Sequence, residues 1–176
     1  MKNYNDKEDE RYLIYLDINN LYGFSMVQSL PIGGFVWISD VNSNFWDVPQ
    51  DSKVGYFLEV DLEYPRELHD QHKDLPFCSE HMAAPGSKQK KLMTTLYDKN
   101  RYVLHHCALQ QALQYGLVLK KIHRAIKFNQ SPWLKSYIEF NNSKRAESKN
   151  EFEKLFYKFL NNAVYGKKQF DRLFHC

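Results

Sequence analysis

The sequence predicts an α+β fold, and three observations carry that prediction. Short runs rich in β-branched and aromatic residues, bounded by Gly, Pro, Asn and Asp, fill the earlier part of the 176 residues. One strand–helix–strand unit, "YVLHHC", "ALQQALQYG" and "LVLKKIHRAIKF", follows them. From Pro132 onward the periodicity becomes helical and reads as two successive helices. Strands in one region and helices in another is the pattern of an α+β chain.

Taken in order, "MKNYNDKEDE" is a polar tail. Tyr12 to Leu16 then form a wholly apolar run, a buried strand, which ends on Asp17 and breaks into Asn19, Asn20, Leu21, Tyr22 and Gly23. A carboxylate at the rim of a core is costly unless something positive meets it. The plain alternative is an Asp that starts a turn. "SLPIGGFVWISD" is a turn into a short strand, and "NSNFWDVPQDSK" a loop or one turn of helix. "VGYFLEVDLEYP" alternates, with Tyr56, Leu58 and Val60 on one face and Phe57, Glu59 and Asp61 on the other. "RELHDQHKDLPFCSEHMAAPGSKQKK" reads as a loop. Its His69, His72, Cys78 and His81 are residue types that zinc uses, but the spacing is not that of a standard finger.

In the strand–helix–strand unit, Gly116 is placed to end the short helix. Lys120, Lys121, Arg124 and Lys127 on the following strand are either a phosphate-binding set or an ordinary solvated face. "WLKSYIEFNNSKRAES" and "KNEFEKLFYKFLNNAVYG" form a helical hairpin. The second helix has an apolar stripe through Phe152, Leu155, Phe156, Phe159 and Leu160, and Gly166 is expected to end it. Lys158, Asn162 and Tyr165 lie at i, i+4 and i+7 and share one face; Lys154 sits one turn earlier, and Arg145 and Lys149 near the hairpin tip. Lysine meets phosphate, Asn reads a base or sugar edge, and an aromatic ring supports a base. The polar side of an ordinary amphipathic helix has the same composition.

The net charge of +3 conceals an asymmetry. Residues 1–87 hold 6 Lys+Arg against 15 Asp+Glu, and residues 88–176 hold 18 against 6. This suits either a polyanion site in the second half or two faces that attract each other. Cys78, Cys107 and Cys176 are an odd, widely spaced set and read as reduced thiols. No run approaches a membrane span and the first residues are polar, so no membrane partner and no secretion are expected. The expected location is intracellular, and nuclear if a host genome encodes the chain.

"DINNLYG" and "KFLNNAVYG", in that order, resemble motifs A and B of family B DNA polymerases of the protein-primed type, written D-x-x-S-L-Y-P and K-x-x-x-N-S-x-Y-G. The likeness is greatest to the polymerases of Polinton (Maverick) transposons and related viral elements, and runs from about Tyr12 to about Lys168. It implies a partial palm carrying the motif A strand (residues 11–30, after the tail 1–10). A mixed α/β insertion of the kind that contacts a terminal (priming) protein would follow (31–130), and then a two-helix fingers hairpin (131–176).

The resemblance also implies roles. Asp17 is the catalytic carboxylate of a two-metal Mg²⁺ site, with the backbone carbonyl of Ile18 as a further ligand. Asn20, Leu21 and Tyr22 lie against the incoming dNTP, with Tyr22 beneath the ribose. Lys158 meets the triphosphate, helped by Arg145 and Lys154, while Asn162, Tyr165 and Gly166 flank the nascent base pair. The reaction is transfer of a nucleotide to the 3′-hydroxyl of a primer–template DNA. Ala163 replaces the motif B serine, Asn20 the motif A serine and Gly23 the proline. Nothing resembles motif C or the proofreading exonuclease, so this chain alone is expected to be inactive without those parts of a parent polymerase. The alternative function is that of a degenerate or domesticated transposon remnant that binds nucleic acid or nucleotide without catalysis.

Overall fold

The computed structural model describes residues 20–39 and 45–174. The expected Tyr12–Leu16 strand, Asp17 and Ile18 lie outside the described residues. The elements are α1 (Leu21–Met26), β1 (Leu30–Ile38), β2 (Val54–Glu63), α2 (His69–His72), β3 (Glu80–Ala83), β4 (Lys90–Met93), β5 (Lys99–His105), α3 (His106–Gln114), β6 (Val118–Ser131), α4 (Lys135–Glu147) and α5 (Glu151–Phe174). Single 3-10 turns at Phe45–Asp47 and Arg66–Leu68 complete them. The α+β class stands. The chain forms two compact units, one of residues 28–135 and one built from the chain on both sides of it.

The first unit is a four-stranded sheet in the order β1-β6-β2-β5, in which every neighbouring pair is antiparallel. Period-two alternation on β2 puts Leu58, Val60 and Leu62 into the core, where Leu104, Leu109, Ala112, Leu117 and Ala125 meet them. α3 lies over that face. Gly116, at φ 97°, ends α3: its N–H bonds to Leu113 O and that of Leu117 to Ala112 O, so the last carbonyls are satisfied. α3 crosses from β5 to β6 while β2 lies between them, so this strand–helix–strand unit is not one of neighbouring strands.

The segment that reads as a loop contains a hairpin, β3 with β4, pairing Glu80 with Met93 and Ala83 with Lys90. Four-residue strands with two adjacent lysines give no alternation to read. A long-range contact helps to anchor them. Lys99, fully buried, donates to Glu80 Oε2 at 2.9 Å, Thr95 Oγ1 at 2.8 Å and Thr95 O at 3.2 Å. Its three ammonium donors thereby have three acceptors, which makes burial of the charge tolerable.

In the second unit, α4 and α5 are joined by a three-residue turn, 148–150. Asn150 starts α5: its side-chain oxygen accepts from the Glu153 N–H at 2.8 Å. Tyr137 bonds to the Leu160 carbonyl and Asn141 to Asn161, contacts that tie α4 to α5. One expectation is corrected here: α5 does not end at Gly166 but continues to Phe174. The apolar stripe is open, with Phe152 77% exposed and Leu155, Phe156 and Phe159 exposed with it. The residue buried against α4 is Asn161, 3% exposed. Periodicity identifies an apolar face but not what covers it, and here hydrogen bonds between amides hold the opposite face.

Candidate functional site

The second unit brings the two motif-bearing segments together. Asn20 precedes α1 in the left-handed conformation, φ 58° and ψ 39°, which Asn tolerates better than most residues. Its carbonyl accepts from Phe24 N–H at 2.9 Å. Its side chain folds over Gly23, where a Cβ would come within 2.4 Å of Asn20 Nδ2. The glycine of "NNLYG" is thus the residue that leaves room for the asparagine three positions earlier.

From there a chain of amides leads to α5. Asn20 Nδ2 lies 3.5 Å from Asn142 Oδ1, and Asn161 Nδ2 donates to the same oxygen at 2.9 Å. Asn161 Oδ1 accepts from Asn141 Nδ2 at 3.0 Å. One turn beyond Asn161, the Tyr165 ring stacks on Tyr22, with centroids 4.4 Å apart and planes tilted by 30°. Both rings are about half exposed, so this pair is an open aromatic surface and not core.

Of the residues singled out from sequence, Tyr22 and Tyr165 meet directly and Asn20 reaches α5 through Asn142. Lys158 and Asn162 are exposed on α5, on the side that the i, i+4, i+7 spacing with Tyr165 predicts. Gly166 and Leu21 are exposed as well. Lys154 is held by Glu151 at 2.8 Å on its own helix, and Arg145 is exposed near the α4 terminus. Sequence reasoning passed over Asn141, Asn142 and Asn161. The signal was present as two Asn-Asn doublets, "FNN" on α4 and "LNN" on α5.

In the sheet unit, the basic strand β6 lies against acidic β2. Arg124 pairs with Glu59, Lys120 with Glu63, and Lys121 stands opposite Asp61. Arg101 joins from β5, 2.7 Å from Glu59. The Arg124 guanidinium, ahead of that of Arg101, holds the Glu59 carboxyl below its ordinary range. Lys127 alone of the four stands opposite an uncharged residue, Tyr56. Arg124 also lies over the exposed Trp37 ring at 5.4 Å.

Two histidines of the segment read as a loop, His69 and His72, serve Tyr64. His72 Nδ1 is 2.8 Å from its hydroxyl and His69 Nε2 is 3.3 Å from its carbonyl. These two, Cys78 and His81 do not converge as a ligand set. Among the described residues the one convergent group is His105, His106 and Cys107, where β5 becomes α3. The Nδ1 atoms of His105 and His106 accept from the backbone N–H groups of Cys107 and Tyr56, both at 3.3 Å. A neutral imidazole that accepts at Nδ1 carries its proton at Nε2 and has no free lone pair there. The trio is a hydrogen-bonded corner rather than a metal centre. Burial, reinforced by His105, brings the His106 pKa down to about 4.

The family model for DNA polymerase type B, organellar and viral, matches residues 2–168. Two crystal structures of Phi29 DNA polymerase resemble the fold. One holds primer–template DNA and incoming nucleotide substrates; it is 17% identical, with a TM-score of 0.54 over 86% of this chain and 25% of that one. The other, an orthorhombic form, is 16% identical, with a TM-score of 0.51 over the same shares. The chain therefore spans about a quarter of the length of those polymerases. No curated protein matches it.

Proposed function

This chain belongs to the type B DNA polymerases of the organellar and viral kind, and from that premise we propose that its second unit holds the deoxynucleotide in template-directed transfer to a primer 3′-hydroxyl. The observation that carries this reading is the stack of Tyr22 on Tyr165, with Lys158 and Asn162 on the same side of α5. An aromatic pair offers a base and sugar a flat support, and Lys158 offers the triphosphate a charge about two helical turns away. Tyr22 lies beneath the ribose, and Asn162 and Tyr165 border the base pair. Arg145 and Lys154 assist at the phosphates, Lys154 after release from Glu151.

Asp17 and the Ile18 carbonyl are hard oxygen donors of the type that Mg²⁺ takes, and they come just before Asn20. Two such donors are too few for a pair of ions, so further carboxylates come from other parts of a complete polymerase. Mg²⁺ held there would supply charge neutralisation for the 3′-hydroxyl as it loses its proton and for the leaving pyrophosphate. The protein's part is to fix the sugar over Tyr22 and the phosphates along Lys158. Asn20 and Gly23 within "DINNLYG", and "LPIGGF", favour a Polinton-like polymerase. In that setting residues 28–135 face a priming protein, and the enzyme works in the nucleus when a host genome encodes it.

Titration of the purified chain with a dNTP and Mg²⁺, followed by NMR, tests the reading. Signals of Tyr22, Tyr165 and the Lys158 region should shift together, and Lys158→Ala should weaken binding by roughly tenfold, the value of one charge-assisted contact. Shifts confined to other residues, or none, would overturn the reading.

A further inference from the structure

We propose that Asn161 is a positioning residue for Tyr22, acting through Asn142 and Asn20. Its side-chain hydrogen bonds go to Asn141 and Asn142 and not to Tyr22. Yet four contacts close a ring: Asn161 to Asn142 at 2.9 Å, Asn142 to Asn20 at 3.5 Å, Asn20 into the start of α1 two residues before Tyr22, and Tyr22 to Tyr165 at 4.4 Å. Tyr165 stands four residues after Asn161 on the same helix. The ring thus begins and ends on α5.

The chemistry is specific to an amide at this position. Asn161 is 3% exposed, so both halves of its side chain need partners. Its oxygen takes the Asn141 donor and its nitrogen gives to Asn142. That fixes the orientation of Asn142, whose oxygen then faces the Asn20 amide. Asn20, in its left-handed turn and lodged over Gly23, sets where α1 starts. α1 has only six residues, too short to hold its place by itself. A half-exposed ring on such a helix is steady only if the helix is anchored. The amide chain is the anchor at one end and Tyr165 at the other. What this anchoring does for a sugar over Tyr22 rests on the nucleotide reading above; the positioning itself does not.

Asn161→Leu removes both amide contacts, whereas Asn141→Leu removes only the branch that does not lead to Asn20. The two sites are equally buried, so general damage to the hairpin is matched. In the nucleotide-free chain, Asn161→Leu should abolish the ring-to-ring NOE between Tyr22 and Tyr165. It should also speed hydrogen exchange at the Phe24 and Val27 amides by roughly five- to tenfold, as expected for one lost hydrogen bond. Asn141→Leu should do neither. Equal effects of the two variants, or none from Asn161→Leu, would overturn the proposal. Should a buried variant fail to fold, Asn20→Gly keeps the left-handed turn at an exposed site. It must then release Tyr22 in the same way, and an unchanged NOE with unchanged exchange would overturn the proposal equally. Because no nucleotide enters these measurements, they fail or succeed separately from the nucleotide reading.

Discussion

On the proposed nucleotide reading, Tyr22 is the residue on which substrate choice would turn. Ribonucleotides differ from deoxynucleotides by one hydroxyl, and a pocket that only omits a hydrogen bond rejects an added hydroxyl by about a hundredfold at most. A ring braced from behind by another ring, 4.4 Å away, is a firmer wall. In a longer polymerase that carries this sequence, Tyr22→Val should keep deoxynucleotide extension and raise relative ribonucleotide use by roughly tenfold or more. The ratio of kcat/KM for the two substrates decides it, and an unchanged ratio excludes a gate. Because Tyr22 is 49% exposed, folding should lose no more than about 1.5 kcal/mol, the value of an aromatic pair. His106 gives a second outcome at this scale. An ordinary histidine titrates at 6.5, whereas His106 titrates at about 4. Between those values the unfolded chain binds a proton that the folded chain refuses. Stability is therefore full above pH 6.5 and falls as pH is lowered towards 4, by about 3 kcal/mol at the limit. Burial depresses His105 in the same direction. His106→Asn, which keeps an acceptor for the Tyr56 N–H, should remove most of the loss between about pH 7 and about pH 5 in urea melts. The position of Lys158, Asn162 and Tyr165 was legible from spacing alone. The Asn161 chain was not, because a doublet of asparagines does not say which member turns inward.

At the scale of elements, the charge asymmetry becomes an inter-strand ladder. Sequence left open whether the basic half binds a polyanion or answers the acidic half. In the sheet, β2 acids stand across from Lys121 and Arg124, and Glu63 pairs with Lys120. Single-stranded DNA would have to displace these pairs to reach Lys120, Lys121 or Arg124. Glu59→Gln, which frees Arg101 and Arg124, should therefore raise DNA affinity and steepen the log–log salt slope by about one. An unchanged slope would mean that these arginines do not meet phosphate. β2, α3 and β6 were readable because alternation and a Gly116 cap are local signals. β3 and β4 were not, since the contacts that anchor them, such as Lys99 with Glu80, are remote in sequence. α5 shows the converse: its periodicity was plain, but the hydrogen-bonded Asn161 outweighed the phenylalanines in choosing the side that meets α4.

For the whole molecule, the continuous unit has its own core around Leu58, Val60 and Leu109, and its ends are both within one stretch of chain. Residues 28–135 expressed alone should fold and melt in one cooperative transition by circular dichroism, with dispersed amide signals. A molten, non-cooperative product would show that the flanking segments are needed. The discontinuous unit could not be read from sequence order, because Asn20 and Asn161 are far apart until the chain folds. Near its entry and exit, the continuous unit pairs Leu30 on β1 with Ser131 on β6. Paired residues in antiparallel strands have Cα atoms only about 5 Å apart. The chain therefore leaves this unit beside the point where it enters. In evolutionary terms that is a cassette: a lineage could enlarge it, replace it or lose it, and a short turn would rejoin the chain. Selection on this cassette can therefore proceed without re-spacing the residues that it interrupts.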